Sequence, residues 1–160
     1  MKSVADLNSL LKQRTWDKEL LLWLGAEKPL LGAIGPSKPV VLDLLDLFEP
    51  DRLPMDDDST KDVLHEQLTQ RLRSFPKGPD SRTVLIVKSI GLLARYGVGL
   101  KEFYDWFVGS YTLVILCLEC APEKSEWPDE VRCDPNRLIR YFTEPGMVKD
   151  VYAAGGESNA

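Results

Sequence analysis

Two short apolar runs set most of what this chain can fold into: Thr83-Val84-Leu85-Ile86-Val87 and Tyr111-Thr112-Leu113-Val114-Ile115-Leu116-Cys117-Leu118. Each is β-branched or apolar at almost every position and too short for a buried helix. A strand that is apolar on every residue is covered on both faces, the condition of a parallel sheet clad in helices. Between the runs lies a segment of helical spacing, with Ile90, Leu93, Ala94, Leu100, Phe103, Tyr104 and Phe107, interrupted at Gly97 and Gly99 and closed by Gly109-Ser110. Strand, helix, strand in that order predicts a right-handed βαβ unit over 82–119. The fold expected is α/β, a three-layer sandwich around a mostly parallel central sheet.

The flanks supply further layers. Ser3 to Arg14 reads as an amphipathic helix, with Ser3 as its cap, Asp6 in its first turn, and Val4, Leu7, Leu10 and Leu11 on one face. Trp16 to Leu24 is either a buried helix or the first strand, and Gly25 breaks it. Val40 to Phe48 has helical spacing, and Pro39 suits a first helical turn, so a helix is predicted there. The acidic segment 49–60, with Asp56, Asp57 and Asp58 in a row, reads as a solvated loop that caps the next helix. That helix runs from about Thr60 to Phe75 on a stripe of Val63, Leu64, Leu68, Leu72 and Phe75. His65 lies beside the stripe as a surface or helix-packing residue. Asp134-Pro135 starts a later helix that stops at Glu144-Pro145-Gly146, and 147–152 adds a last short extended segment. Residues 1–152 form one domain, and 153–160 are a fraying tail.

Composition narrows the function classes. A net charge of -5 makes direct nucleic-acid contact at most minor, although Arg71, Arg73, Lys77 and Arg82 gather around Pro76 and Pro79. No run of 18 apolar residues and no basic-then-apolar leader occurs, so the expectation is a cytoplasmic protein that does not enter a membrane. Cys117 and Cys120 have CxxC spacing, with Cys133 further on, but Cys117 lies in a strand that should be buried, where a thiol behaves as a small hydrophobe. Reduced structural cysteines, no metal, no cofactor and no catalytic residue are expected, with a small-molecule partner unlooked for.

One motif points to phosphate chemistry. Gly32, Gly35 and Lys38 follow the spacing of a phosphate-binding loop, GxxxxGK followed by Ser or Thr, whose amides cradle phosphate and whose hydroxyl holds Mg²⁺. Ser37 replaces the glycine before the lysine. Pro39 replaces the hydroxyl residue and supplies neither a hydroxyl nor an N–H. Taken in order, loop and helix at 32–48, helix at 60–75 and adjacent strands at 83–87 and 111–118 make the chain resemble a P-loop NTPase core of the AAA-like kind. That resemblance implies an Asp or Asp-Glu at the end of the first of those strands to order Mg²⁺. Lys88 and Ser89 stand there instead, and Glu119 and Cys120 stand where a residue would sense the γ-phosphate. The chain is also similar in length to the small P-loop-type proteins encoded in BREX phage-defence loci. Its stretch Tyr141-Phe142-Thr143-Glu144-Pro145-Gly146 is similar to an aromatic–acidic–Pro–Gly stretch near their ends.

The resemblance, with its metal-binding features lost, implies a pseudo-NTPase: a non-catalytic adaptor or scaffold in a multi-protein complex, of a BREX-like antiviral defence kind, whose partners are other protein subunits. Tyr104, Trp106 and Trp127 are then the aromatic candidates for an interface. The alternative is an atypical nucleotide-binding protein or NTPase using Lys38 with Asp43, Asp46 or Glu119. A third reading is an α/β domain unrelated to P-loop proteins, in which 32–39 is a plain turn.

Overall fold

The two apolar runs are neighbouring parallel strands in the middle of a five-stranded sheet. The computed structural model describes residues 2–35, 39–48, 56–76, 78–118, 148 and 150–154. The strands are β1 (Leu20–Leu24), β2 (Val40–Asp43), β3 (Thr83–Lys88), β4 (Thr112–Leu118) and β5 (Asp150–Ala153), in the spatial order β2-β3-β4-β1-β5. All four pairings are parallel, so the mostly parallel sheet expected from sequence is wholly so. The helices are α1 (Val4–Leu11), α2 (Glu27–Ile34), α3 (Asp57–Ser74), α4 (Gly91–Tyr96) and α5 (Lys101–Trp106).

Strand order explains the layers. The chain moves from β1 out to β2 and then steps back through β3 to β4. Crossovers of one hand travelling in opposite directions place their helices on opposite faces. Accordingly α1 and α2 pack with Leu21, Trp23, Val84, Ile86, Leu113 and Ile115 on one face. The face opposite carries α3, α4 and α5 over Leu20, Leu22, Leu85, Val87, Val114 and Leu116. Alternate residues of each strand therefore feed different cores, which is why the strands read as continuous apolar runs.

Local chemistry sets the boundaries. Ser3 and Asp6 form a reciprocal capping box at α1, as their spacing predicts, and the helix stops at Leu11 rather than running to Arg14. Of the two readings for 16–24, the strand holds: Leu20–Leu24 is β1, between β4 and β5. Asp56 accepts from the Ser59 N–H at 2.7 Å and opens α3 a turn earlier than the apolar stripe suggests. The hydrogen bonds from Ser59 hold the Asp56 carboxyl below its ordinary range. The segment between β3 and β4 is two helices, parted at Gly97. That residue ends α4 with a φ of 66°, a left-handed conformation that glycine adopts at little cost.

The helix predicted over 40–48 is corrected. Val40–Asp43 is an edge strand, and Leu44–Leu47 is a single 3-10 turn capped by Asp43. Ala153 is the last residue of β5. The helix expected after Asp134-Pro135 lies outside the described residues. Among the described residues no helix is long and apolar enough to cross a membrane.

Candidate functional site

In open parallel sheets ligands bind outside the carboxyl ends of the strands, where neighbouring strands send their crossovers in opposite directions. Here β1 leads to β2 on one side and β4 leads to β5 on the other, so that point falls between β1 and β4. There the two strand ends are joined by the chain's own groups. Gly25, immediately after β1, donates its N–H to the Leu118 carbonyl at 3.1 Å, and the Cys117 sulfur lies 3.8 Å from the Gly25 carbonyl. Gly25 has a φ of 126°, a turn that carries the chain straight into α2. The buried Trp23 indole donates to the Ala26 carbonyl at 2.8 Å and fixes this connection from below.

Two polar pairs stand along the carboxyl edge on the β3 side. Lys88 Nζ at the end of β3 lies 2.8 Å from Glu27 Oε2 in the first turn of α2. The hydrogen bond to Glu27 raises the Lys88 pKa against the opposing effect of partial burial, and the charges of Glu27 and Asp43 add to the rise. Next along the chain, Ser89 Oγ donates to Asp43 Oδ1 at 2.6 Å, and the same oxygen accepts the Leu45 N–H at 3.1 Å. These contacts bind α2 and β2 to the end of β3, on the side of the sheet where a ligand would sit.

Ser89 has a second notable property. Its φ is 59°, unusual for a residue with a side chain, and it stands on the turn between a parallel strand and a helix. A nucleophilic serine occupies such a strand–turn–helix elbow in α/β hydrolases, where an imidazole activates it. Here the hydroxyl faces a carboxylate and is 9% exposed. The chain's one histidine is engaged elsewhere: His65 Nε2 on α3 lies 2.8 Å from Glu102 Oε1 on α5. The elbow thus serves as a tie between β3 and β2.

Glu102 is the centre of a second cluster that the sequence did not disclose. Besides His65, its carboxylate accepts from Thr69 Oγ1 at 3.2 Å and from Trp106 Nε1 at 3.0 Å. Burial pushes the Glu102 carboxyl upward, but the hydrogen bonds from His65, Thr69 and Trp106 and the charge of His65 outweigh it and leave the pKa lowered. The Arg73 guanidinium stacks 3.7 Å from the centre of the Trp106 ring. Trp106 is therefore partly buried and partnered on both its N–H and its face, and Tyr104 likewise packs against the core. Burial, with the charge of Glu19, raises the Tyr104 pKa. Neither ring stands free as an exposed anchor. Trp127 lies outside the described residues.

Of the phosphate-loop candidates, the described pair, Gly32 and Gly35, lies at the C-terminal end of α2. Gly32 sits inside the last turn of α2, and Gly35 is its C-cap, with a φ of 65°. A β-carbon at either position would meet nothing of the described chain within 4 Å. The end of a helix offers free carbonyls rather than amides, and its dipole disfavours an anion. Ser37 and Lys38 lie outside the described residues. The basic residues around the Pro76 loop are dispersed to separate duties. Arg82 donates to the carbonyls of Leu11 and Arg14, Arg73 covers Trp106, and Lys77 lies outside the described residues. Among the described residues no group of three or more His, Cys, Asp or Glu side chains is placed to hold a metal ion.

Comparison with known proteins adds no relative: no family model, no curated protein and no solved structure matches the chain.

Proposed function

We propose that this protein is a non-catalytic adaptor or scaffold subunit of a multi-protein complex. The observation that supports the reading is the Lys88–Glu27 pair at 2.8 Å on the carboxyl edge of the sheet. Where an NTPase of this build would present an acid to Mg²⁺, this chain presents an ammonium already neutralised by a neighbouring carboxylate. The Ser89–Asp43 bond occupies the adjoining strand ends in the same manner. In its finer form the proposal is a pseudo-NTPase of a BREX-like anti-phage assembly. Its support is the resemblance in length, element order and the 141–146 stretch, which lies outside the described residues.

Calorimetry with Mg²⁺-ATP and Mg²⁺-GTP tests the reading directly. Negligible heat of binding and no hydrolysis are expected. Micromolar, Mg²⁺-dependent binding that Lys38→Ala abolishes would replace the adaptor with an atypical NTPase. Purification of the tagged chain from its native host, with mass spectrometry of what accompanies it at fixed stoichiometry, then identifies the complex.

A further inference from the structure

We infer that the outer edge of β2 is a docking edge for an extended, basic segment of a partner protein, which adds beside Val40–Asp43 as a sixth strand. The inference deepens the adaptor reading and rests on it. The two edges of the sheet are finished differently. At β5 the chain closes its own edge: the Lys2 N–H donates to the Val151 carbonyl at 2.8 Å, and the Ala153 N–H donates to the Lys2 carbonyl at 3.1 Å. Lys2 Nζ adds an ion pair to Asp150 at 3.0 Å and lies over the Tyr152 ring. Among the described strands β2 pairs with β3 alone, so alternate N–H and C=O groups of β2 face outward.

The side chains of this edge are apolar where an edge is usually blunted by charge. Val41 is 44% exposed and Leu45 is 49% exposed, the two most exposed large hydrophobic residues among those described. Val41 is in register with Ile86, which is in register with Ile115, itself in register with Leu21. The last three are buried. Val41 thus carries a buried row of the sheet out into solvent, and an apolar residue on an added strand would continue that row.

Charge decides the occupant. Asp43 and the exposed Asp46 flank the exit of β2, and the chain as a whole carries a net charge of -5. A second copy brings the same acidic exit, so two such edges repel each other. A segment with Lys or Arg beside its apolar residue is instead drawn toward the acidic exit. In this mode main-chain bonds supply affinity, while Val41 and the acidic exit select the sequence.

The test uses the whole chain and two labelled synthetic peptides, acetyl-(Lys-Val)₃-amide and acetyl-(Glu-Val)₃-amide, in anisotropy titrations followed by amide hydrogen exchange. The basic peptide should bind at least tenfold more tightly than the acidic one and slow exchange within 40–43. Val41→Lys should weaken it at least tenfold with the melting temperature unchanged, and Leu45→Lys serves if that variant unfolds. Asp46→Lys should lower affinity several-fold and flatten its salt dependence. Equal binding of the two peptides, protection elsewhere in the chain, or full affinity of both lysine variants would overturn the inference. A light-scattering mass of twice 18.1 kDa that Val41→Lys halves would also overturn it, assigning the edge to a second copy. Native partners that still co-purify with Val41→Lys would sink this edge and leave the adaptor reading standing, whereas Mg²⁺-nucleotide binding would sink the adaptor reading itself.

Discussion

The two faces of the sheet bury comparable apolar rows but hold their helices by different chemistry. On the α1/α2 face, besides the Lys88–Glu27 pair, the polar ties run from indole and guanidinium groups to main-chain carbonyls. Trp16 Nε1 donates to Leu10 at 3.0 Å and Trp23 Nε1 to Ala26 at 2.8 Å. The Arg82 guanidinium, 4.0 Å from the centre of the Trp16 ring, donates to Leu11 at 2.7 Å and to Arg14 at 3.1 Å at the end of α1. None of these donors changes charge across the ordinary pH range. On the α3/α4/α5 face, the corresponding tie is the Glu102 carboxylate with His65, Thr69 and Trp106 around it. The α1/α2 face therefore adds several ties that do not depend on pH to its one carboxylate tie, Glu27 with Lys88, whereas the tie between α3 and α5 is a group that acid can neutralise.

The sheet between the faces should be indifferent to which side is attacked. Ile86 points to the α1/α2 core and Leu85 to the opposite one, and both are fully buried. Ile86→Asp and Leu85→Asp should each cost about 3–5 kcal/mol, because the charge has no partner in either core. Denaturant unfolding measures this. A variant that keeps its wild-type midpoint on one face only would show that this face is not the closed layer described.

A smaller effect separates the faces. Trp23→Phe removes the indole bond to Ala26 and leaves part of a fully buried ring volume empty, for an expected loss of about 2 kcal/mol. Its cost should be the same at pH 5 and pH 8, since no titrating group is lost. A cost that changes with pH would break the distinction between the indole ties of this face and the carboxylate tie of the other.

The same contrast governs what the sequence discloses. Residues 83–118 were legible because burial on both sides makes β3 and β4 apolar at every position, a signal no surface helix imitates. The region behind the α1/α2 face was harder. Leu20–Leu24 is equally apolar, but a run that is apolar at every position has no periodicity by which to tell a strand from a stretch of buried helix. Val40–Phe48 misled because a four-residue strand followed directly by a 3-10 turn places its apolar residues at helical spacing, and Pro39 suits the start of either element. The polar ties were not legible at all. Ser89 and Asp43 are 46 residues apart, and His65 and Glu102 are 37 apart, and no periodicity or motif links such partners before the fold brings them together.

The smallest predicted effect tests the acid-sensitive tie alone. Glu102→Gln keeps the size of the side chain and removes its charge, so at neutral pH it should cost about 1 kcal/mol, the scale of a mostly buried charged hydrogen-bond acceptor with one half-exposed partner. The folded protein holds the Glu102 carboxyl below its ordinary value, so the carboxylate favours the folded state once it is ionised in both states. That contribution is fully present above the unfolded-state value of about 4.3 and is lost as pH falls through the lower folded-state value. Wild-type and Glu102→Gln stabilities should therefore differ at pH 7 and converge in acid, with the wild type descending to meet the variant. His65→Ala leaves the carboxylate its bonds from Thr69 and Trp106, so it should reproduce only part of the neutral-pH loss. Parallel stability curves that keep their separation down to pH 3 would mean that the carboxylate is not what fastens α5 to α3, and that the aromatic and aliphatic contacts of Phe103 and Phe107 hold this face by themselves.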